Sequence, residues 1–144
     1  MGYRSHVLLK TTTEGYLMMK TFDDEIVKKA KKGECNIWDR PLSGAEIRVS
    51  SDGNYRIEFD WVKWYDGYTG VDNFNSMVER YHDEDIPYKF LRIGEETGDI
   101  EEKGNWLGED EIDCFQVVTD IDDDEMGDYT EVPNPDPEIK TKEK

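Results

Sequence analysis

Six carboxylates stand within nine positions at Asp120, Asp122, Asp123, Asp124, Glu125 and Asp128, and no basic residue falls among them. Such crowding has three chemical meanings: a wrapped divalent cation, an imitation of a phosphate backbone, or a solvated end of chain. Counted from Asp120, acids fill positions 1, 3 and 5 and Glu131 fills position 12, as in a calcium-wrapping loop. Position 6 breaks that pattern. The sharp turn there needs glycine and finds Glu125, while Gly127 comes two residues late. An EF-hand is thereby set aside, and looser divalent-cation binding by crowded carboxylates stays open.

Acids also recur at every second residue: Asp99 with Glu101, Glu109 with Glu111 and Asp113, and Asp120 with Asp122 and Asp124. On an extended chain two residues span about 6.6 Å, close to the roughly 6 to 7 Å between neighbouring phosphates of one nucleic-acid strand. Any half-solvated strand alternates in the same way, so spacing does not decide the matter. Quantity does. Of the net charge of −17, residues 83–144 carry 22 acids and 6 bases, giving −16, which leaves −1 for residues 1–82. Solubility of a small domain needs a magnitude of only about 2 to 8. The surplus repels nucleic acid and anionic membranes and attracts a basic protein surface. Glu101, Glu109, Asp110, Glu111, Asp113, Asp120, Asp122, Asp123 and Asp124 are the candidate phosphate imitators.

Catalytic chemistry has fewer footholds. His6 and His82 are the only side chains that ordinarily titrate near neutral pH, and neither lies beside a serine or cysteine motif. A carboxylate pair such as Glu95 and Asp99 offers an acid and a base, although turn acids of this kind are usually only solvated. No cofactor is implied, and no enzyme is expected. The aromatic run "FDWVKWYDGYTG" is more suggestive. Alternation puts Trp61 on the core side, whereas Trp64, Tyr65 and Tyr68 resist burial and have the composition of an interface centre. A nucleic-acid stacking platform would need more cations than Lys63 alone.

The elements that must hold these groups follow from periodicity. "YRSHVLLKT" reads as a central strand. Thr13 is a candidate cap for a helix from Glu14 that Gly15 weakens, and "FDDEIVKKAKKG" is a second helical segment with Phe22, Ile26 and Ala30 on one face and Gly33 as its stop. "AEIRVSSDGNYRIEFDWVKW" is a hairpin turning at Asp52-Gly53. Val71, Phe74, Met77, Val78 and Tyr81 line a further helix. "YKFLRIG" and "DCFQVVTDI" read as later strands, with a short one near Ile100. The expected fold is α+β: an antiparallel or mixed sheet with two helices on one face, loosely ferredoxin-like, ending in an acidic C-terminal segment. One domain is expected over 1–128, with a flexible Pro/Lys-containing tail over 129–144. No apolar run approaches a membrane span or a signal peptide, and Cys35 and Cys114 have no disulfide or metal spacing, which points to a soluble cytoplasmic protein with reduced thiols.

At "MGYRSHV", "DWVKWYDGY" and "FLRIGEETGDIEEKGN" the chain resembles a group of small, uncharacterised proteins of tailed bacteriophages, over roughly residues 1–105. The resemblance brings no activity and no catalytic residues. It implies a setting in which accessory genes of this size often encode inhibitors of host defence or transcription. Arg4, Trp64, Tyr65, Arg92, Glu95, Glu96 and Asp99 are the matching positions, and a shared surface is expected there. Charge and resemblance together lead to a non-enzymatic inhibitor that fills the basic nucleic-acid channel of a host protein, an anti-CRISPR or other anti-defence protein acting as a DNA mimic. The alternative is a binder of a small molecule or divalent cation, such as a signalling-nucleotide sponge, with Arg4 and Arg92 meeting phosphate.

Overall fold

The structure, a computed structural model, is described for residues 3–65, 67–105 and 129–134. Strand β1 (Ser5–Thr11) is buried at all seven positions, as a strand flanked on both edges should be. Helix α1 (Thr13–Lys31) follows directly, with the Thr12 hydroxyl accepting from Gly15 N at 3.2 Å. The two helical segments read from the sequence are therefore one helix. Gly15 does not break it because the helix starts hard against β1, where a Cβ at position 15 would overlap the Thr11 hydroxyl. Lys28, Lys29 and Lys31 complement the helix C-terminus, and Gly33 at φ +79° turns the chain away.

A single 3-10 turn (Ile37–Asp39) leads to the hairpin of β2 (Glu46–Ser50) and β3 (Tyr55–Val62). Gly53 at φ +87° closes it, as Asp52-Gly53 predicts. Helix α2 (Thr69–Asp83) buries the expected stripe of Val71, Phe74, Met77, Val78 and Tyr81. β4 (Tyr88–Gly94) and β5 (Ile100–Gly104) complete one side of the sheet, and β6 (Tyr129–Val132) completes the other. The sheet is antiparallel throughout, in the order β5-β4-β1-β3-β2-β6. Its inner four strands, 4-1-3-2, with one helix after β1 and one after β3, have the ferredoxin-like arrangement expected from the sequence.

Both helices cover one face, where Val7, Leu9, Ile57, Phe59 and Phe90 meet Tyr16, Met19, Phe74, Met77 and Tyr81. The opposite face holds a smaller apolar group of Leu8, Leu91 and Ile93, with Trp61 and Ile100 against it. One expectation needs changing. Residues 129–132 are sheet, not the start of a tail, because the free edge of β2 supplies the backbone partners that a lone four-residue strand cannot supply itself. The expected strand at 113–121 lies outside the described residues.

The loop between α1 and β2 is fixed by a buried ion pair. Arg40 Nε donates to both oxygens of Asp23, at 3.1 and 3.0 Å, and Leu42 N donates to Asp23 Oδ1 at 3.1 Å. Arg40 also reaches Asn134 Oδ1 at 3.0 Å, and the Asn134 amide donates to Leu42 O and Ala45 O at 2.8 and 3.0 Å. Helix, loop and the chain after β6 thus share one polar hub. Replacing Asp23 by Ala strips a buried guanidinium of its carboxylate and should cost about 3–5 kcal/mol in urea unfolding; a loss under about 1 kcal/mol would show that the hub is dispensable.

Candidate functional site

The connection from β3 to α2 decides where the aromatic run points. Opposite the single residue His6 of β1, strand β3 places two residues, Asp60 and Trp61, in a β-bulge. Trp61 takes φ +53°, a left-handed value that a bulky side chain seldom adopts. The bulge flips the alternation. Trp61, expected on the core side, packs on the helix-free face, edge-on to His6 at 5.6 Å, and Val62 takes the place against the core. Trp64, expected to resist burial, enters the helix-side core against Phe59 and Phe74, with ring centroids at 4.9 and 5.3 Å. Tyr65 is half-buried, its hydroxyl accepting from Tyr3 N at 2.6 Å. Only Tyr68 of the three proposed contact aromatics is exposed, at 49%.

Sequence reading missed Trp38. It is 67% exposed on the 3-10 turn, which Asn36 and Asp39 cap reciprocally. The polar caps around an isolated tryptophan were the available signal, since they fix a turn that offers the ring no strand or helix face to enter. Trp38, Pro41, Val62, Lys63, Trp64 and Tyr68 line an open groove of about 340 Å³. This aromatic concavity lies against the loop held by Asp23 and Arg40.

A second constellation gathers most of the resemblance positions. Tyr3 donates its hydroxyl to Asp99 Oδ2 at 2.5 Å and accepts from Glu96 N at 2.9 Å, while Arg4 N donates to Glu95 Oε2 at 2.8 Å. Arg92 spans Asp99 and Glu101, with Nη2 to Asp99 Oδ1 at 2.9 Å and Nε to Glu101 Oε1 at 3.0 Å. The hydrogen bonds from Arg92 and then Tyr3 hold the Asp99 carboxyl below its ordinary value, and the same bond to Asp99 pushes the Tyr3 phenol up. Asp99 and Glu101, which alternate like phosphates in the sequence, thus grip one guanidinium. Arg4 Nη1 donates to Trp61 O at 3.1 Å. Arg4, Tyr65, Arg92, Glu95, Glu96 and Asp99 form a clasp between the N-terminal segment and the β4–β5 turn, and Trp64 stands apart from it in the core.

The helix-free face carries an arrangement that alternation conceals. Lys89, Lys10, Arg56 and Arg48 lie in direct cross-strand register over four strands, with Glu131 of β6 next in the row. Like charges so placed repel, and anions must offset them. Glu58 stands within 3.4 Å of Arg56 and 3.9 Å of Arg48, and it is hydrogen-bonded to His6. Burial pushes the Glu58 carboxyl up, but the His6 hydrogen bond and the charges of Arg56 and Arg48 outweigh it, and the group ends below its ordinary value of 4.5.

Of the proposed acidic contacts, Glu101 is described and engaged by Arg92, with Lys103 at 3.7 Å. Glu109, Asp110, Glu111, Asp113, Asp120, Asp122, Asp123 and Asp124 lie outside the described residues. Among the described residues no group of three or more His, Cys, Asp or Glu side chains is placed to hold a metal ion, and no helix is long and apolar enough to cross a membrane. His82 lies at the end of α2 beside Tyr88, with the phenol oxygen 3.4 Å from Nδ1, and far along the chain from the His6–Glu58 pair. Compared with protein-family models, curated proteins and solved structures, the chain finds no match.

Two measurements follow from these placements. Trp64→Ala should destabilise the fold by about 3 kcal/mol, the low end for a large aromatic, while Tyr68→Ala should stay within about 0.5 kcal/mol; equal effects would contradict the split between core and surface. Because the folded value of Glu58 lies below the unfolded one, its contribution is present above about pH 4.5 and is lost as pH falls through the folded value. Glu58→Gln should therefore be the less stable protein at neutral pH, with the gap closing below about pH 4.5. A gap that does not vary with pH would show that ionisation of Glu58 contributes nothing.

Proposed function

We propose that the protein is a phage-encoded, non-enzymatic inhibitor that occupies the basic nucleic-acid channel of a host protein, acting in the host cytoplasm as an acidic mimic of nucleic acid. The observation that carries this reading is the division of charge, −16 over residues 83–144 against −1 over the rest. Such a field raises the rate of encounter with a basic cleft and repels nucleic acid itself. Glu95, Glu96 and Glu102 add exposed carboxylates at the β4–β5 end of the sheet. Glu101 contributes less than its position in the sequence suggests, since Arg92 offsets it. The phosphate-like role therefore rests on Glu109, Asp110, Glu111, Asp113, Asp120, Asp122, Asp123 and Asp124. Tyr68, exposed beside the groove, supplies a contact that salt does not screen.

The alternative of a small-molecule or nucleotide binder loses one of the two guanidinium groups that favoured it. Arg92 is taken up by Asp99, Glu101 and Ser5, whereas Arg4 is exposed and gives only Nη1 to Trp61 O. The deciding experiment is capture from host lysate on the immobilised protein, with washes at about 0.1 M and then about 0.5 M salt. A nucleic-acid-handling protein should be retained at low salt and released by high salt or competing nucleic acid. Changing Asp120, Asp122, Asp123 and Asp124 to Asn should weaken its binding by tenfold or more, about 1.4 kcal/mol. Binding that is indifferent to salt and to these four substitutions would end the proposal.

A further inference from the structure

A groove of about 340 Å³ lies between the two helices, lined by Met18, Phe22 and Met77 with the charged Glu25 and Arg80 beside them. Leu17, 54% exposed, stands on α1 one residue from that lining. Methionine and an exposed leucine make a soft apolar surface of the kind that adapts to another protein. Apolar surface alone does not name the occupant, but the charges around it do.

Exposed positions of α1 at helical spacing are Leu17, Thr21, Asp24, Lys28 and Lys31, and those of α2 are Asp72, Ser76, Glu79 and Asp83. Asp24 is taken up by Lys20 at 2.8 Å, which leaves Lys28 and Lys31 to set the charge of the first stripe. The second stripe carries acids only, and none of them makes an ion pair among the described residues. One helix is thus cationic and the other anionic, and no described ion pair joins the two within the chain. The layer is complementary to itself. Its helices run antiparallel, because each returns the chain to a strand parallel to the one it left, and β1 and β3 are antiparallel. A two-fold axis along the groove sets α1 of one copy over α2 of the other, so that every contact is made twice. With Phe22 level with Met77, as their shared lining of the groove implies, Lys28 of one copy comes level with Asp72 of the other and Lys20 with Glu79.

We propose that the helical layer is the interface of a two-fold dimer, with a second copy of this chain as the occupant of the groove. Two copies of net charge −17 repel one another, and this layer is where they do so least: α1 and α2 together hold seven acids and five bases, −2 in sum, whereas residues 83–144 hold −16. Helices of 19 and 15 residues are about 28 and 22 Å long and about 10 Å across, and offer roughly 500 Å² in plan. Standard interfaces bury about 800 Å² per partner, so the dimer belongs to the weaker, micromolar class. The inference does not depend on the acidic mimic reading.

The test is sedimentation velocity of the full chain at about 0.15 M salt, over concentrations from about 1 to about 200 μM. Monomer should give way to dimer across that range. Lys20→Glu with Lys28→Glu in one chain, and Asp72→Lys with Glu79→Lys in another, should each weaken self-association by about tenfold or more, since like charges then face each other twice. An equal mixture of the two reversed chains should dimerise about as tightly as the native chain, because both contacts are again complementary, and this restoration also shows that both chains are folded. Leu17→Ser, at an exposed position, should weaken the dimer severalfold with its unfolding midpoint unchanged. A native chain that stays monomeric throughout overturns the proposal, as does native affinity in Leu17→Ser. So do reversed chains that dimerise as the native chain does, which would put the interface elsewhere, and a mixture of two folded reversed chains that stays monomeric.

Discussion

The Asp23–Arg40 pair is the constraint on which the outer parts of this fold depend. A long loop joins α1 to β2, and its backbone would be free to drift without a fixed point. Asp23 supplies one from inside the helix, accepting from the Arg40 guanidinium and from Leu42 N. A charge buried this deeply is tolerable only when its oxygens are satisfied, and here they are met from several directions. The same guanidinium then fixes Asn134, which carries the chain away from β6. One ion pair therefore sets the loop, the wall of the aromatic groove and the exit of the last sheet strand. This dependence is about position more than net stability, because the desolvation of both ions offsets much of their attraction.

The bulge in β3 plays a comparable part on the opposite face. By placing Asp60 and Trp61 across from His6 alone, it lets one strand serve two surfaces. Phe59 and Val62 go to the helices, while Trp61 closes over His6 and the small apolar group around Leu8. The left-handed backbone at Trp61 carries a local cost of about 1–3 kcal/mol, held by the packing of the indole and by the Arg4 contact to its carbonyl. Without that inserted residue, alternation would turn Trp61 towards the helices and Val62 towards the helix-free face. The aromatic cluster that looks uniform in the sequence is thereby divided among a core, a helix-free face, a clasp and a groove.

Charge is organised in the same divided way. The first half of the chain is nearly neutral in sum, yet three of its cations, Lys10, Arg56 and Arg48, stand in a cross-strand row on one face with Glu58 beside them. The second half is strongly acidic, yet Asp99 and Glu101 are spent on Arg92 and Glu95 on the backbone of the N-terminal segment. Summed charge thus misstates which groups face a partner. Long-range attraction depends on the sum, and contact depends on the few carboxylates that no internal cation holds.

The sequence by itself determined the periodic elements. The hairpin at Asp52-Gly53, the α2 stripe from Val71 to Tyr81, the strands at 88–94 and near Ile100, and the ferredoxin-like order are all legible, because a half-buried element must repeat its apolar residues at the period of its backbone. The acidity of the second half was equally plain. Tertiary structure alone decided what local pattern cannot encode. Gly15 stays within one long helix because β1 lies against it, and Tyr129–Val132 becomes a strand because β2 offers an open edge. Trp61 changes face through a single extra residue placed across from His6 of β1. For Tyr129–Val132 and for Trp61 the deciding partner, β2 or β1, is distant in sequence, and its hydrogen bonds or packing outweigh a local preference of at most about 1 kcal/mol per residue.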